Sequence, residues 1–596
     1  MKKKSDIDKT NKSSKTNELL KVNESSKTKQ KIKLGIIILS IIIMCIYEFG
    51  VCNGNFTQNL LQGNMVQYHF SLCRLVIYII FLGVEIKWIH KLIPNDISKT
   101  KKIVLILYSL FTVAISIYVL FRWTSIYRIS SMIVTLLLGI IFLICISANY
   151  TKNLIVTVLT IGLVFCFCTN FHHPLDEKKH FMSALNLSFG NFQYVQKPLN
   201  EPEYNNIIFN CDMDDFAQFF EKKYEPQLTE EWDRTPETEV YYICSTPADY
   251  NFILYIPATL GILVARILGG SVADIYIMAR LFNLLAYLGL CLIALKILPI
   301  KKKIFYVIYM LPISILLAAS CSIDGMCIGL IGIFIAYCIN LWQKDITQIG
   351  LRQILTVIGL FAISLLAKNL AYFAIGFFIF TLPIIKILKQ NKKHIPILIA
   401  IIAIALMIVG GMAVTKINQV SSAPTGDIRG GDTSSTRQVA FLLENPTNIL
   451  KVGFAHIMDS LLNYNWYTYL NQSDFFGKYY AQIFFLELVF LLYVAFTDRS
   501  EQIDTRRKVI SIITFLLVYG STSLMLYLTF TPVGSLSVSG YQTRYLLPIL
   551  PILLVTMSQN KQKELEQEQQ EKMDFNISWI YGLITILDIM CLIIKV

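Results

Sequence analysis

Apolar runs separated by short polar stretches recur along most of the chain. Most of these runs are about 17 to 22 residues long, the length that a helix needs to cross about 30 Å of hydrocarbon. They do not show the alternation of apolar and polar positions that marks transmembrane β-strands. The pattern therefore predicts an all-α polytopic membrane protein with about 15 transmembrane helices, within a range of about 13 to 16.

Longer polar segments divide this series of helices into six parts. The predicted spans begin at Leu34 and continue over 72–89, 103–121, 131–147, 154–169, 274–295, 302–320, 323–342, 353–367, 370–388, 395–413, 479–497, 508–529, 545–558 and 577–594. The six parts are a disordered basic tail (1–33), the first helices (34–169), an acidic loop with a juxtamembrane helix (170–273), a transmembrane bundle (274–413), a second large loop (414–478) and the C-terminal helices (479–596).

The charges in the polar segments predict the orientation of the chain. The basic tail carries eleven Lys against four Asp or Glu, and such segments stay in the cytoplasm. Residues 170–250 carry fifteen Asp or Glu against six Lys or Arg, so this loop is more easily translocated. Keeping the basic loop at 296–303 inside requires 251–269 to be a juxtamembrane or re-entrant helix, broken by Pro257 and Gly261. The abundance of Lys, Ile and Asn is typical of AT-rich bacterial genomes. The prediction is therefore a bacterial cell-membrane protein with a cytoplasmic N-terminus and extracellular large loops.

Composition agrees with a membrane protein and reduces the number of reactions and partners to consider. The chain is 55% hydrophobic and 16% charged, and its mean hydropathy is +0.55. The net charge of +13 comes mostly from Lys and Arg between the apolar runs, so it reports topology and predicts no nucleic-acid partner. Cys211 and Cys244 share one polar segment, and whether they pair stays open. The absence of P-loop, HExxH and Gly-x-Ser-x-Gly motifs leaves ATP-driven transport, zincin proteolysis and serine hydrolysis without support.

Charged residues near the predicted helix ends are the main functional signal. Charge at membrane depth is costly, so it usually faces a cavity, a partner or the interface. In the predicted topology the outer helix ends carry Asp176, Glu177, His180, Arg266, Asp274, Arg280, Asp324, Lys368 and Arg544. Snorkelling alone would spread such residues over both faces, so this one-sided placement predicts a shared outer cavity.

The segment after the fifth predicted span carries two adjacent carboxylates. If Pro174 occupies the first turn of a helix, Asp176 and His180 share one face. Glu177 lies beside them, near the positive end of that helix. This arrangement suits a general base or metal ligands, and equally an interfacial cap with solvated charges. A divalent cation bound by His173, Glu177 and His180 is a weaker alternative, because the spacing matches no closed site.

A second candidate segment enters the predicted span 545–558 from the outer side. Arg544 provides a fork-shaped donor that stays charged and suits a phosphate. Gly540 permits a tight approach, and Tyr541 and Gln542 add hydrogen-bonding groups of the kind that hold sugars or headgroups. The alternative is an ordinary interfacial belt of Tyr and Arg.

Seven short segments in combination resemble one known family. They are Pro174–His180, Tyr255–Gly261, Ala279–Asn283, Leu311–Ser314, Ser320–Asp324, Ala367–Lys368 and Gln542–Pro548, and they fall within about residues 165–560. This combination resembles a bacterial family of predicted membrane proteins of unknown function that is grouped with the GT-C integral-membrane glycosyltransferases.

The resemblance implies a GT-C-like helical bundle with outer-face juxtamembrane helices and a polyprenyl-phosphate sugar as donor. By carry-over, Asp176 and Glu177 are the expected catalytic residues of the first large loop. The residues expected to bind substrate or lipid phosphate are His180, Arg280, Asp324, Lys368, Tyr541, Gln542 and Arg544. Lys368 is equally explained as a plain charge between two spans. The expected acceptor is a cell-envelope glycan, a teichoic-acid-like polymer or a protein, and the chain is surrounded by membrane lipids.

Two functions of other classes stay open. A transporter or flippase of lipid-linked saccharides would bind a headgroup with the same cations and couple protons through the carboxylates. The near absence of charge in the inner helix halves and the lack of visible inverted repeats argue against it. A non-enzymatic scaffold for envelope assembly would use the acidic loop as a docking surface, and it predicts that Asp176 is dispensable.

Overall fold

The computed structural model of the protein is helical wherever it describes regular structure. It describes residues 28–53, 57, 60–62, 71–94, 98–168, 177–188, 190, 250–270, 272–367, 371–390, 432–462, 481–498, 500, 503–557 and 567–595. The first helices are α1 (Thr28–Cys52), α2 (Leu72–Leu92), α3 (Lys99–Arg122), α4 (Ile126–Cys145), α5 (Tyr150–Cys168), α6 (Glu177–Leu187), α7 (Ile256–Ile267), α8 (Val272–Ile297), α9 (Lys302–Met310) and α10 (Pro312–Ala318).

The remaining helices complete the bundle. They are α11 (Asp324–Trp342), α12 (Leu351–Leu365), α13 (Ile384–Gln390), α14 (Ser435–Glu444), α15 (Thr447–Ile457), α16 (Ala481–Thr497), α17 (Thr505–Thr529), α18 (Leu550–Leu554) and α19 (Gln567–Lys595). Short 3-10 helices lie at Phe252–Tyr255, Ile346–Gln348, Phe373–Thr381, Thr543–Leu546 and Val555–Met557. The described residues contain no strand, so the all-α prediction is confirmed for them.

Eight of the described helices are long and apolar enough to span a membrane. They are α1, α3, α4, α5, α8, α11, α17 and α19. The 3-10 helix Phe373–Thr381 and α13 make a ninth span if they are counted together, although they bend by 74° at their junction. The protein is therefore a multi-pass membrane protein, whereas the expected count of about 15 is not confirmed. The predicted span 395–413 lies outside the described residues.

Prolines explain why two predicted spans are broken. The expected span 302–320 consists of α9 and α10, and Pro312 is the first residue of α10. Leu311 before it is extended, with φ −54° and ψ 134°, as the residue before a proline prefers. Pro383 stands at the other break, between the 3-10 helix and α13. A proline lacks the backbone N–H that would continue the preceding helix, so the helix ends there and the chain changes direction.

Polar residues between the spans define where several helices begin. Side-chain oxygens of five residues accept a hydrogen bond from a backbone N–H of the first turn, and these residues are Ser71, Ser98, Ser125, Asn149 and Asp504. Such a cap satisfies a backbone group that has no partner within the helix and contributes about 1 kcal/mol. The helix starts are therefore set by local sequence.

Burial separates a central layer from a lipid-facing periphery. Helix α11 is almost entirely buried, and α8 packs between α7 and α11. Helix α3, in contrast, leaves most of its apolar side chains exposed, including Leu110 and Phe121. Exposed apolar surface on a helix of spanning length is expected to face lipid. The candidate functional residues described below lie on or next to the central helices.

Gly261 lets α7 approach α8 closely. The expected break at Pro257 and Gly261 is wrong, because Pro257 lies in the first turn of α7 and the helix continues through Gly261. Proline is tolerated in a first helical turn, where its missing N–H has no helical partner. A Cβ added at Gly261 would lie 2.2 Å from the carbonyl oxygen of Met278 on α8. The glycine therefore serves backbone-to-backbone contact rather than a kink.

Replacing Gly261 by alanine is expected to reduce the free energy of unfolding by about 1–3 kcal/mol, because α7 must move away from α8. Gly289→Ala on α8 is the matched control, since nothing lies within 4 Å of its added Cβ. That control is expected to be neutral or stabilising by up to about 1 kcal/mol. Thermal unfolding of both variants in detergent tests the difference, and equal stabilities would contradict the close contact.

Candidate functional site

A buried ion pair joins α6 to α8. Glu177 is the first residue of α6, Arg280 lies on α8, and neither is exposed to solvent. Arg280 Nε donates to Glu177 Oε1 at 2.8 Å, and Arg280 Nη2 donates to Glu177 Oε2 at 2.7 Å. Two such bonds between a guanidinium and a carboxylate are stronger and more directional than a single one. The pair therefore fixes the start of α6 against the central helix.

Further contacts surround this pair. Arg280 Nη1 donates to the carbonyl oxygen of Cys166 at 3.3 Å, and its guanidinium lies 5.0 Å from the centre of the Tyr276 ring. Glu177 Oε1 accepts a second hydrogen bond, from the backbone N–H of Cys321 at 3.0 Å. Both carboxylate oxygens of Glu177 are thus engaged, and the pair connects α5, α6, α8 and the loop before α11.

That loop, residues 320–324, carries a second carboxylate. Asn283 Nδ2 donates to the carbonyl oxygen of Ser320 at 2.9 Å and holds the loop on α8. Ser322 Oγ donates to Asp324 Oδ2 at 3.2 Å, and Asp324 is the first residue of α11. The partial positive charge at a helix N-terminus stabilises a carboxylate in this position.

Asp324 pairs with Arg544, which comes from a distant part of the chain. Arg544 Nε lies 3.3 Å from Asp324 Oδ2, and both side chains are almost fully buried. The Arg544 guanidinium is 5.8 Å from the centre of the Tyr545 ring, and Tyr372 donates its hydroxyl to the Tyr545 carbonyl at 2.8 Å. We name the two ion pairs together the acid–arginine site: Glu177, Arg280, Asp324 and Arg544.

The turn before Arg544 requires a glycine and buries two polar side-chain atoms. Gly540 has a φ of 75°, and a Cβ there would lie 2.3 Å from the Phe530 ring. The left-handed backbone and the contact with Phe530 therefore require a glycine here, whereas close approach of a ligand at Gly540 stays a prediction. The buried Tyr541 hydroxyl lies beside Thr522, and the buried Gln542 Oε1 makes no hydrogen bond within the described residues. A buried polar atom without a hydrogen bond costs about 1–3 kcal/mol unless a ligand satisfies it.

An aromatic cluster extends from Tyr541 to α15 and α17. The His456 ring stacks on Tyr519 with centroids 5.2 Å apart and meets Tyr541 edge-on at 4.7 Å. His456 Nε2 lies 2.7 Å from Ser523 Oγ. Burial lowers the pKa of His456 to about 4, so the ring is neutral at physiological pH. The sequence does not single out His456, because one histidine on an apolar helix does not reveal which helix it meets.

His180 is placed by neighbouring aromatic residues. Its Nδ1 lies 3.0 Å from the Tyr255 hydroxyl, and its ring stacks on Tyr250 with centroids 5.7 Å apart. These contacts join α6 to the turn before α7. Among the described residues no group of three or more His, Cys, Asp or Glu is arranged to hold a metal ion. His173, one member of the expected metal site, lies outside those residues, and Glu177 is already paired with an arginine.

Two other expected members of the outer cavity have separate partners. Asp274 Oδ1 lies 3.0 Å from Arg74 Nη1, and Arg74 Nε lies 2.9 Å from Glu48 Oε2. Arg266 Nη1 donates to the carbonyl oxygen of Ser188 at 3.1 Å. The structure therefore brings together part of the predicted set and gives the rest contacts of their own. Asp176, Lys368, Cys211 and Cys244 lie outside the described part of the chain, as do His173 and Pro174.

Comparison with protein families shows which family this chain belongs to. The chain matches DUF2142, described as a predicted membrane protein, over residues 159–553. This region contains the complete acid–arginine site and leaves α1 to α4 outside. Neither the curated proteins nor the solved structures gave a match.

Proposed function

The chain belongs to DUF2142, a family of predicted membrane proteins, and from this premise we propose that it is a membrane glycosyltransferase of the GT-C type. In this proposal it transfers a sugar from a polyprenyl-phosphate donor to a cell-envelope glycan or related acceptor. The reaction takes place at the outer face of the cell membrane. Arg544 binds the donor phosphate, and Asp176 is the catalytic base.

The surroundings of Arg544 carry this proposal. Asp324 orients the guanidinium from 3.3 Å, and the preceding residues Tyr541 and Gln542 have buried polar atoms, of which Gln542 Oε1 makes no hydrogen bond within the described residues. A guanidinium is the side chain best suited to a phosphate, because it is planar, always charged and rich in N–H donors. Sugar hydroxyls would satisfy the Tyr541 hydroxyl and the Gln542 carbonyl oxygen. A phosphate-linked sugar therefore fits the chemistry of this group.

The proposed reaction is a single displacement at the anomeric carbon. The acceptor hydroxyl attacks that carbon, and the bond from the carbon to the phosphate oxygen breaks. The phosphate leaves with the bonding electrons, and Arg544 stabilises its growing negative charge. The proton of the acceptor hydroxyl passes to the carboxylate of Asp176.

Glu177 is better suited to positioning than to proton transfer. Its two oxygens already accept three hydrogen bonds, two from Arg280 and one from the N–H of Cys321. A general base must lie within about 2.6–3.2 Å of the proton that it removes, and Glu177 has little accepting capacity left. In the proposal Glu177 therefore anchors α6, which follows directly on Asp176. Lys368 stays a proposed phosphate ligand, and Arg280 positions Glu177.

Replacing Asp176 by asparagine is expected to abolish transfer, because the amide cannot accept the acceptor proton. The test is complementation of a bacterial strain that lacks the protein, with envelope glycan, lipid-linked sugar and protein abundance measured together. The expected result is loss of one glycan and accumulation of its polyprenyl-phosphate sugar at normal abundance. Asp215→Asn, another carboxylate of the same acidic segment, is the control and is expected to keep the glycan.

Other outcomes would favour the two rival functions. Unchanged glycan in Asp176→Asn contradicts the catalytic role and agrees with a scaffold. If the protein were a flippase, the inactive variant would instead leave the lipid-linked sugar in the inner leaflet. Enzymes added to sealed vesicles of known orientation distinguish sugar in the two leaflets. Accumulation confined to the inner leaflet would therefore contradict the transferase proposal.

A further inference from the structure

A short helix lies beside the membrane-spanning helix α17 and is too short to span the membrane itself. Helix α15 has 11 residues, about half the length that crosses a bilayer. Helix α14, which precedes it, is tied to the last turn of α17, because Ser435 Oγ donates to the Leu528 carbonyl oxygen at 2.8 Å. Helix α15 contacts α17 further from that end, where His456 Nε2 lies 2.7 Å from Ser523 Oγ. The chain therefore runs from the end of α17 towards its middle.

The contacts with α17 indicate how deep α15 lies. Basic residues mark the first turn of α17, and its apolar part continues from there to Thr529. A helix rises about 1.5 Å per residue, so Ser523 lies about 9 Å along α17 from Thr529. Tyr519, whose hydroxyl shares a hydrogen bond with Ser460 Oγ, lies about 15 Å from Thr529. The hydrocarbon of one leaflet is about 15 Å thick, so His456 is at the depth of acyl chains.

The side chains of α15 and the turn after it are arranged inside out compared with those of a helix on a water-facing surface. The buried stripe consists of residues four apart, most of them polar: Asn448, Val452, His456 and Ser460. Large apolar side chains are exposed instead, and Leu450 and Phe454 are 75% and 69% exposed. A helix between protein and water buries its apolar side and exposes its polar side. The opposite arrangement is typical of a helix in contact with lipid.

Two exposed charges limit the extent of the apolar face. Lys451 and Asp459 are eight residues apart, so they lie along one flank of the helix. At 3.6 residues per turn, Leu450, Phe454 and Ile457 fall within about 60° of one another on a different side. Charged groups need water or headgroups, whereas the other side consists of Leu, Phe and Ile. The two sides of α15 are therefore suited to different surroundings.

We propose that Leu450, Phe454 and Ile457 form a lipid-binding face that is covered by acyl chains of membrane phospholipids. These chains belong to the leaflet at the Thr529 end of α17, which is the outer leaflet in the predicted topology. Helix α17 exposes Leu524 at a similar depth, and exposed apolar surface on a spanning helix faces lipid. The apolar face of α15 therefore lies at a level of the protein that acyl chains already reach.

The proposal changes the expected position of part of the second large loop. Residues 447–457 belong to the predicted extracellular segment 414–478, but in the proposal they contact acyl chains. The inserted helix also meets the turn before Arg544, because the His456 ring lies edge-on to Tyr541 with centroids 4.7 Å apart. Lipid packing on α15 is thus linked to that turn by one side-chain contact. The lipid-binding face does not depend on the glycosyltransferase proposal.

Photocrosslinking in vesicles of dioleoylphosphatidylcholine tests the proposal on the full-length protein. The photoreactive amino acid p-benzoylphenylalanine takes the place of Phe454. Light excites its ketone, which takes a hydrogen atom from a nearby C–H bond, and the two resulting radicals then join, so that no group leaves. Mass spectrometry is expected to find the peptide that contains position 454 with the mass of one intact phosphatidylcholine added.

Two matched positions serve as controls. The same photoreactive residue in place of Phe121, an exposed apolar residue of the spanning helix α3, is expected to give the lipid adduct. In place of Glu444, an exposed charge at the end of α14, it is expected to give about tenfold less, because a charged residue stays in water.

Three outcomes would overturn the proposal. The first is a lipid adduct at position 121 without one at position 454. The second is a crosslink from position 454 to another segment or to a second copy of this chain, since protein would then cover the face. The third is an adduct that forms only after polyprenyl phosphate is added, which would identify a site for that lipid instead.

The reactivity of an introduced cysteine is a second, independent readout. A thiol reacts with a maleimide as the thiolate, which forms in water but not among acyl chains. In the same vesicles, Phe454→Cys is therefore expected to react with a charged maleimide about tenfold more slowly than Glu444→Cys. Mass spectrometry of each peptide separates these two sites from the native cysteines. Equal rates would show that the Phe454 side of α15 faces water, and would overturn the proposal.

Discussion

Replacing Arg280 by methionine is expected to lower the free energy of unfolding by about 3–5 kcal/mol, which would make it one of the most damaging single changes in the protein. The variant leaves Glu177 charged in a site that excludes water, and it removes two hydrogen bonds of 2.8 and 2.7 Å. It also removes the contact with the Cys166 carbonyl. Unfolding of the purified protein in mixed micelles, followed by circular dichroism, measures this loss.

The double variant Glu177→Gln with Arg280→Met separates a stranded charge from a simple loss of packing. It is expected to recover most of the lost stability, because the neutral amide costs less to bury and still accepts the Cys321 N–H bond. Arg437→Met is the control, since Arg437 and Asp432 form an exposed ion pair, which contributes less than about 1 kcal/mol. A double variant as unstable as Arg280→Met would show that the buried charge is not the cause.

Replacing Arg544 by alanine is expected to reduce sugar transfer by about 10²- to 10³-fold, because the leaving phosphate loses its stabilising charge. Arg544→Lys should lose less, since it keeps a positive charge but not the fork of donors. The turnover number should fall more than the apparent affinity for the donor, because the negative charge grows in the transition state. Transfer from a radiolabelled polyprenyl-phosphate sugar in membrane vesicles measures both quantities.

A stability effect must be separated from this loss of activity. Arg544→Ala leaves Asp324 without its partner, so the double variant Asp324→Asn with Arg544→Ala removes the stranded charge. It is expected to fold better than the single variant and to remain inactive. Arg266→Ala is the control, because Arg266 contacts Ser188 and lies outside the acid–arginine site. Full transfer by the double variant would contradict the phosphate-binding role of Arg544.

Several features of the fold follow from local sequence. The length of each apolar run predicts a helix of spanning length, and this depends only on the cost of exposing backbone groups to lipid. Ser98 and Asn149 begin α3 and α5 because their side chains bond to the backbone of the first turn. The break predicted at Gly261 is wrong, because a glycine inside a helix indicates a break or a close contact equally well. Only the carbonyl of Met278 on the neighbouring helix decides between them.

The members of the candidate site were predictable as residue types, but their pairing was not. Glu177, Arg280, Asp324 and Arg544 stand out because charge is rare next to apolar runs. Their sequence positions do not reveal that Glu177 meets Arg280 while Asp324 meets Arg544. These two pairings also give the two carboxylates different roles: Glu177 anchors α6, and Asp324 orients Arg544, the proposed phosphate ligand.

The pattern of residues along the chain is enough to predict that this protein is helical, crosses the membrane several times and carries a small set of costly charges near its helix ends. These properties depend on hydrophobic length, caps and composition, which are local. Which helices are central and which charges neutralise each other depends on the packing of the folded chain. It alone places Asp324 against Arg544, because the two residues belong to distant segments and meet only where those segments pack together. Contacts between distant segments are set by packing, which the spacing of residues along one helix does not specify.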